Sequence, residues 1–254
     1  MIVLRNSSSV IYTLKTTKPI CKEKMKNKFQ NSKNEAPVSL RLAGVVKESI
    51  VDGPGLRFTI FCQGCPHNCP ECHNPETHDF NGGYDCAIQK ILDAIDANPL
   101  LSGVTFSGGE PSHQPAAFLR IAEEVKKRGL NIWMYSGYTL DELLSYAEVS
   151  LSDLGKFRPY DINNTAGSSA EDTENTALGA DETGENNIGK NFSSKKQHKV
   201  ALASLLSLVD VLIDGRFINP LKDLTLQYRG SSNQRVIDMN KTMKQKKIVL
   251  YEIT

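Results

Sequence analysis

An α/β fold on a mostly parallel sheet is what three observations on this chain predict. Short runs of β-branched and aromatic residues alternate with amphipathic stretches of roughly ten to fifteen residues, the pattern of strand–helix–strand units. The turns after the strand-like runs carry the unusual residues, a block of cysteines in one and a Gly-Gly-Glu in another. No internal repeat is present, and 254 residues are enough for one sizeable core.

The elements follow in order. Residues 1–40 are lysine-rich, poor in acids and without apolar periodicity, which predicts a flexible basic extension. Lysine far outnumbers arginine there, against a transit peptide. A single domain then spans 41–254. Residues 42–46 read as a short strand and 56–62 as a strand that delivers the cysteine block. Ile88, Ile91, Leu92 and Ile95 predict a helix over 85–98, stopped by Pro99. Residues 104–106 form a strand, 115–128 a helix closed by Gly129, 131–135 a strand and 139–147 a helix. The alternation resumes with a helix over 201–209 and a strand over 211–213. Between them, residues 155–199 hold many Asn, Thr, Ser, Gly, Asp and Glu and few large apolar residues, a composition that predicts a disordered insertion.

Thirty basic and twenty-nine acidic residues nearly cancel, so overall charge does not point to nucleic acid. No run of eighteen apolar residues predicts a membrane span, and the expected location is the cytoplasm. In that reducing compartment clustered thiols read as ligands rather than disulfides. Cys21 and Cys86 stand apart, Cys21 in the extension and Cys86 in the first turn of the predicted helix.

Cys62-Gln63-Gly64-Cys65-Pro66-His67-Asn68-Cys69-Pro70-Glu71-Cys72 places four thiols in eleven residues. All four could close a tetrahedral zinc site, or form part of a ferredoxin-like loop. Cys65, Cys69 and Cys72 alone, as C-x3-C-x2-C, would leave one iron of a [4Fe–4S] cluster open to bind and reduce a small molecule. Ser107-Gly108-Gly109-Glu110-Pro111 separates these readings. It follows a strand and precedes a helix, where glycines admit close approach and strand-end carbonyls with a carboxylate can accept from an ammonium group. Ligands bind at the carboxyl ends of parallel strands, and both motifs lie there. Cys62, last in its strand, reads as a packed apolar residue, and Asp214-Gly215-Arg216 as a strand end with a turn.

Together these residues resemble the radical S-adenosylmethionine enzymes, and within them the glycyl-radical activases. The resemblance rests on Val51-Asp52-Gly53-Pro54-Gly55-Leu56-Arg57, the cysteine block, His73-Asn74-Pro75-Glu76-Thr77, Tyr135-Ser136-Gly137-Tyr138-Thr139-Leu140-Asp141-Glu142-Leu143 and Asp210-Val211-Leu212-Ile213-Asp214-Gly215-Arg216-Phe217. Its most specific part is Tyr228-Arg229-Gly230-Ser231-Ser232-Asn233-Gln234-Arg235-Val236-Ile237-Asp238, which resembles the activases of anaerobic ribonucleoside-triphosphate reductase.

The resemblance implies a partial (βα) barrel, with Cys65, Cys69 and Cys72 ligating one [4Fe–4S] cluster. It implies that Gly108, Gly109 and Glu110 contact the methionine ammonium group of S-adenosyl-L-methionine. Backbone at Glu71, Cys72 and His73 would run beside the adenine, although Glu71 stands where many relatives carry an aromatic. A low-potential donor such as flavodoxin or ferredoxin would reduce the cluster. Cleavage of the sulfonium would then give a 5′-deoxyadenosyl radical, which takes hydrogen from a glycine of the partner reductase. No side chain need act as acid or base. The alternatives are a pyruvate formate-lyase activase, a deazapurine carboxylate synthase, or a zinc or electron-carrier module.

Overall fold

The computed structural model describes residues 5–6, 9–10, 39–158 and 187–253, with side chains described for 39–158 and 195–253. Most of the predicted extension lies outside these residues, as do 159–186 of the predicted insertion. Two short strands, β1 (Arg5–Asn6) and β2 (Ser9–Val10), pair antiparallel near the amino terminus.

The main sheet contains β3 (Ser39–Ser49), β4 (Arg57–Cys62), β5 (Tyr84–Ala87), β6 (Gly103–Gly108), β7 (Asn131–Tyr135), β8 (Val211–Asp214) and β9 (Arg235–Asp238). Their order is β5-β3-β4-β6-β7-β8-β9. The four central strands β4, β6, β7 and β8 run parallel. Both flanks are antiparallel, β5 and β3 beside β4 on one side and β9 beside β8 on the other. The sheet is therefore mixed rather than mostly parallel. The link from β3 to β4 is too short for a crossover, so those two can only pair antiparallel.

Helices α1 (Ile88–Asp96), α2 (Pro115–Lys127), α3 (Leu140–Ala147), α4 (Leu151–Leu154), α5 (Asn187–Leu208) and α6 (Met239–Gln245) complete the chain. Sidedness follows from strand alternation. Phe58, Ile60, Cys62, Val104, Phe106, Ile132, Met134 and Leu212 pack with residues of α1, α2, α3 and α5 in one core. The opposite face carries Trp133, Val211, Ile213 and Val236, packed against Tyr135 at the end of β7 and against Tyr228, Tyr251 and Ile253 from the chain's later part. A sheet wound in one direction with its helices on one side leaves an inner face to fill. Here an aromatic cluster fills it, with Trp133 edge-on to Tyr228 and Tyr251.

Arg57 is buried on this inner face and ties the β3–β4 turn to two strands. It donates to Thr105 Oγ1 (2.6 Å), Val104 O (2.8 Å) and Asn131 Oδ1 (2.7 Å). Its guanidinium lies over Trp133, 5.4 Å from the ring centroid, and burial lowers its pKa to about 10.

Two elements depart from the sequence-based expectation. Residues 84–87 are strand, so Cys86 sits in β5 and not in a helical first turn. The pairing Leu40↔Cys86 with β3 takes these residues from the helix, whose apolar spacing starts only at Ile88. Residues 187–199, expected within the disordered insertion, belong to α5. Once 201–208 is docked the costly nucleus exists, and extending the helix amino-terminally adds one hydrogen bond per residue. Among the described residues no helix is long and apolar enough to cross a membrane.

Candidate functional site

The site is assembled at the carboxyl ends of β4, β6 and β7. The β4–β6 register runs to Cys62↔Gly108, so the cysteine loop and the Gly-Gly turn leave the sheet side by side. Cys62 shares the helix-covered side with Phe58 and Ile60, is fully buried, and is pushed well up in pKa by that burial. Its side chain packs in the core.

Cys65, Cys69 and Cys72 are free, half-buried thiols. Asn68 and Glu71, both in left-handed conformation (φ 45° and 58°), reverse the chain between them. The loop is fastened at its base. Gly64 N donates to Thr77 O (2.8 Å) and Cys65 N to His78 O (3.1 Å), while Gln63 Nε2 donates to Glu76 O (3.0 Å) and Asp79 O (2.7 Å). Gln114 binds Arg41 N and O (2.8 and 3.0 Å) and Gln63 O (3.0 Å), holding the loop's start to β3.

Whether these thiols suit a cluster can be read from their surroundings. The Asn74 N–H points at the Cys72 sulfur (3.5 Å), and the backbone of His67 acts to lower the Cys65 pKa against the larger effect of burial. Such donors favour thiolate and tune a cluster's potential. Desolvation raises Cys65 to about 11 and raises Cys72, so coordination is what would deprotonate them. Among the described residues no three His, Cys, Asp or Glu side chains converge to hold a single metal ion. A [4Fe–4S] cluster takes each thiolate on a separate iron, and three half-buried thiols on one loop supply such donors. The donor set fits a cluster.

The turn after β6 is pressed against the cysteine loop. Gly109 N donates to Cys62 O and Glu110 N to Gly64 O, both at 2.8 Å. A Cβ on Gly109 would stand 2.3 Å from the Gly64 oxygen, and one on Gly108 (φ +96°) 2.6 Å from Cys62 N. The sequence reading reserved this space for a ligand, but here the loop's own backbone fills much of it. Glu110 is fully buried, its oxygens facing protein donors on the neighbouring Ser112, on β7's end and on the cysteine loop.

His73, at the far end of the loop, lies 5.0 Å from the ring centroid of Phe217, and a Cβ on Gly230 would stand 3.1 Å from its Cε1. The 228–234 strip therefore folds against the loop after β8 and reaches the cysteine loop. Gln234 accepts from Gly230 N (2.9 Å) and Ser231 N (3.1 Å) and donates to Gly215 O (3.0 Å), while Asn233 donates to Arg216 O (2.8 Å). Asp214 is structural, as the turn reading expected. It binds Arg235 (2.9 and 2.5 Å) and caps α3 through Leu140 N (2.7 Å).

Residues 51–157 and 186–237 match the 4Fe-4S single cluster domain family, more than half of the chain. The chain belongs to that family. The match runs from the β3–β4 turn into β9, so the 4Fe-4S single cluster domain takes in both the cysteine loop and the strip. The chain is similar to the anaerobic ribonucleoside-triphosphate reductase-activating protein of Escherichia coli (strain K12), 29 % identical over 195 residues, 74 % of this chain and 91 % of that one. The protein of the same name from Vibrio cholerae is 28 % identical over 193 residues, 73 % and 89 % of the two chains. The pyruvate formate-lyase-activating enzyme of Clostridium pasteurianum is 32 % identical over 125 residues, 45 % of this chain and 52 % of that enzyme.

Proposed function

We propose that this chain is a radical S-adenosylmethionine activase of anaerobic ribonucleoside-triphosphate reductase. The observation that carries the reading is the arrangement of the four thiols. Three stand free on one loop beside the Gly108-Gly109-Glu110 turn, while Cys62 is turned into the core. Cys65, Cys69 and Cys72 would hold a [4Fe–4S] cluster, which would then be free to bind S-adenosyl-L-methionine. The reductase reading is favoured over the formate-lyase one because the reductase-activating relatives match along nearly their whole length.

When bound, a [4Fe–4S] cluster and S-adenosyl-L-methionine would supply one-electron reductive cleavage of the sulfonium S–C5′ bond, with release of methionine and abstraction of a hydrogen atom from a glycine of the reductase. The protein's part is orientation. Cys65, Cys69 and Cys72 hold the irons, and the turn of Gly108, Gly109 and Glu110 walls the methionine end, with its backbone nearest the ammonium group. Backbone at Glu71 and Cys72, and the His73 ring, border the adenine. The single-wound sheet serves as a partial barrel whose open side admits a glycine-bearing loop. A low-potential flavodoxin or ferredoxin delivers the electron.

Anaerobic reconstitution tests the reading. A brown protein that yields methionine and 5′-deoxyadenosine on reduction supports it. A colourless protein with stoichiometric zinc contradicts it.

A further inference from the structure

Glu110 and His67 meet where the cysteine loop crosses the ends of β6 and β7. His67 Nε2 lies 3.1 Å from Glu110 Oε2, with the two side chains 3 % and 0 % exposed. Glu110 Oε1 accepts from Ser112 N (3.1 Å), Ser112 Oγ (2.8 Å) and Ser136 Oγ (3.0 Å), and Oε2 from Gly137 N (2.8 Å). The His67 ring thus shares the Glu110 carboxyl group with two backbone N–H donors and two hydroxyls. Two more contacts shape the ring's slot. Tyr138 stands edge-on at 4.3 Å, and a Cβ on Gly137 would lie 2.2 Å from the imidazole. Gly137 is not in the left-handed region, so it is the ring and not the backbone that excludes a side chain there.

His67 lies between Cys65 and Cys69. Fixing the ring fixes the course of the loop between two thiols. We infer that His67 and Glu110 are positioning residues, a buried brace that sets the cysteine loop on the β6 and β7 ends. The Glu110 carboxylate then acts chiefly on the loop, through His67, and not as the partner of a substrate ammonium group. This rests on the cluster reading above, extends it to residues that are not ligands, and explains why Ser136-Gly137-Tyr138 follows β7.

The test uses the full-length protein, reconstituted anaerobically, and follows the rate at which a ferrous chelator bleaches the cluster. His67→Ala should bleach about tenfold faster or more. His67→Gln, which keeps a donor in the slot, should stay close to the unsubstituted rate. Gly137→Ala, which removes no polar group, should bleach as His67→Ala does, and decides the matter if His67→Ala does not fold. Glu110→Gln should also bleach fast, whereas weaker S-adenosylmethionine binding in calorimetry with unchanged bleaching would overturn the brace. Unchanged bleaching in His67→Ala and Gly137→Ala would overturn it as well. An unsubstituted protein that takes up no iron would instead refute the cluster reading itself.

Discussion

At the residue scale, Cys65, Cys69 and Cys72 stood out because cysteines at turn spacing have few other uses, and all three are free and half-buried on one loop. Cys62 was legible too. Its place two residues beyond Ile60 and four beyond Phe58 puts it on their side of the strand, and the core confirms that alternation. Cys62→Ala should therefore keep the iron and sulfide content of the unsubstituted protein and lower stability by about 1 kcal/mol, as expected for a small buried group. Cys69→Ala should take up no stable cluster. Iron analysis with a urea melt checks both, and loss of iron in Cys62→Ala would refute the three-thiolate assignment. His67 was not legible as a partner of Glu110. Both sit in loops 43 residues apart, and no periodicity links them. Gly109 was read as space for a ligand because sequence cannot show that Gly64 comes within reach of it.

At the element scale, α2 and α3 were placed to within a residue. Thr139 forms a capping box with Glu142 at the start of α3, and Gly129 follows the end of α2 as predicted. Errors arose where tertiary pairing overrode local pattern, at β5 and in the amino-terminal half of α5. The ends of α1 and α2 are joined by Arg128, which donates to Asp96 (2.6 and 2.9 Å) and to Glu124 (2.9 Å). Hydrogen bonding to Arg128 holds the Asp96 pKa below the usual carboxylate range. The folded state thus releases this proton more readily than the unfolded one. The stabilisation is present above the unfolded value, about 3.9, and is lost as pH falls through the lower folded value. Arg128→Ala should cost no more than about 1 kcal/mol near neutral pH, since the pair is largely exposed. That difference should shrink as pH drops below 4. Urea titrations of both proteins at several pH values measure it, and a cost that grows on acidification would contradict the assignment.

At the scale of the whole molecule, the alternation of strands and helices disclosed an α/β sheet with its chemistry at one end. What it could not disclose were the antiparallel pairings of β5 with β3 and of β9 with β8, each across a long intervening segment, and the filling of the inner face by Trp133, Tyr228 and Tyr251. The 228–234 strip, singled out by motif alone, proves to lie against His73 at the rim of the cysteine loop. Under the proposed function, this rim receives the partner's glycine loop. The central claim is that this rim presents a cluster-bound S-adenosyl-L-methionine to anaerobic ribonucleoside-triphosphate reductase. Electron paramagnetic resonance of the reconstituted, reduced protein mixed with S-adenosyl-L-methionine and that reductase tests it most directly. The account predicts a glycyl-radical signal on the reductase that is absent with Cys69→Ala. Cleavage of S-adenosyl-L-methionine with no radical on the reductase would contradict it.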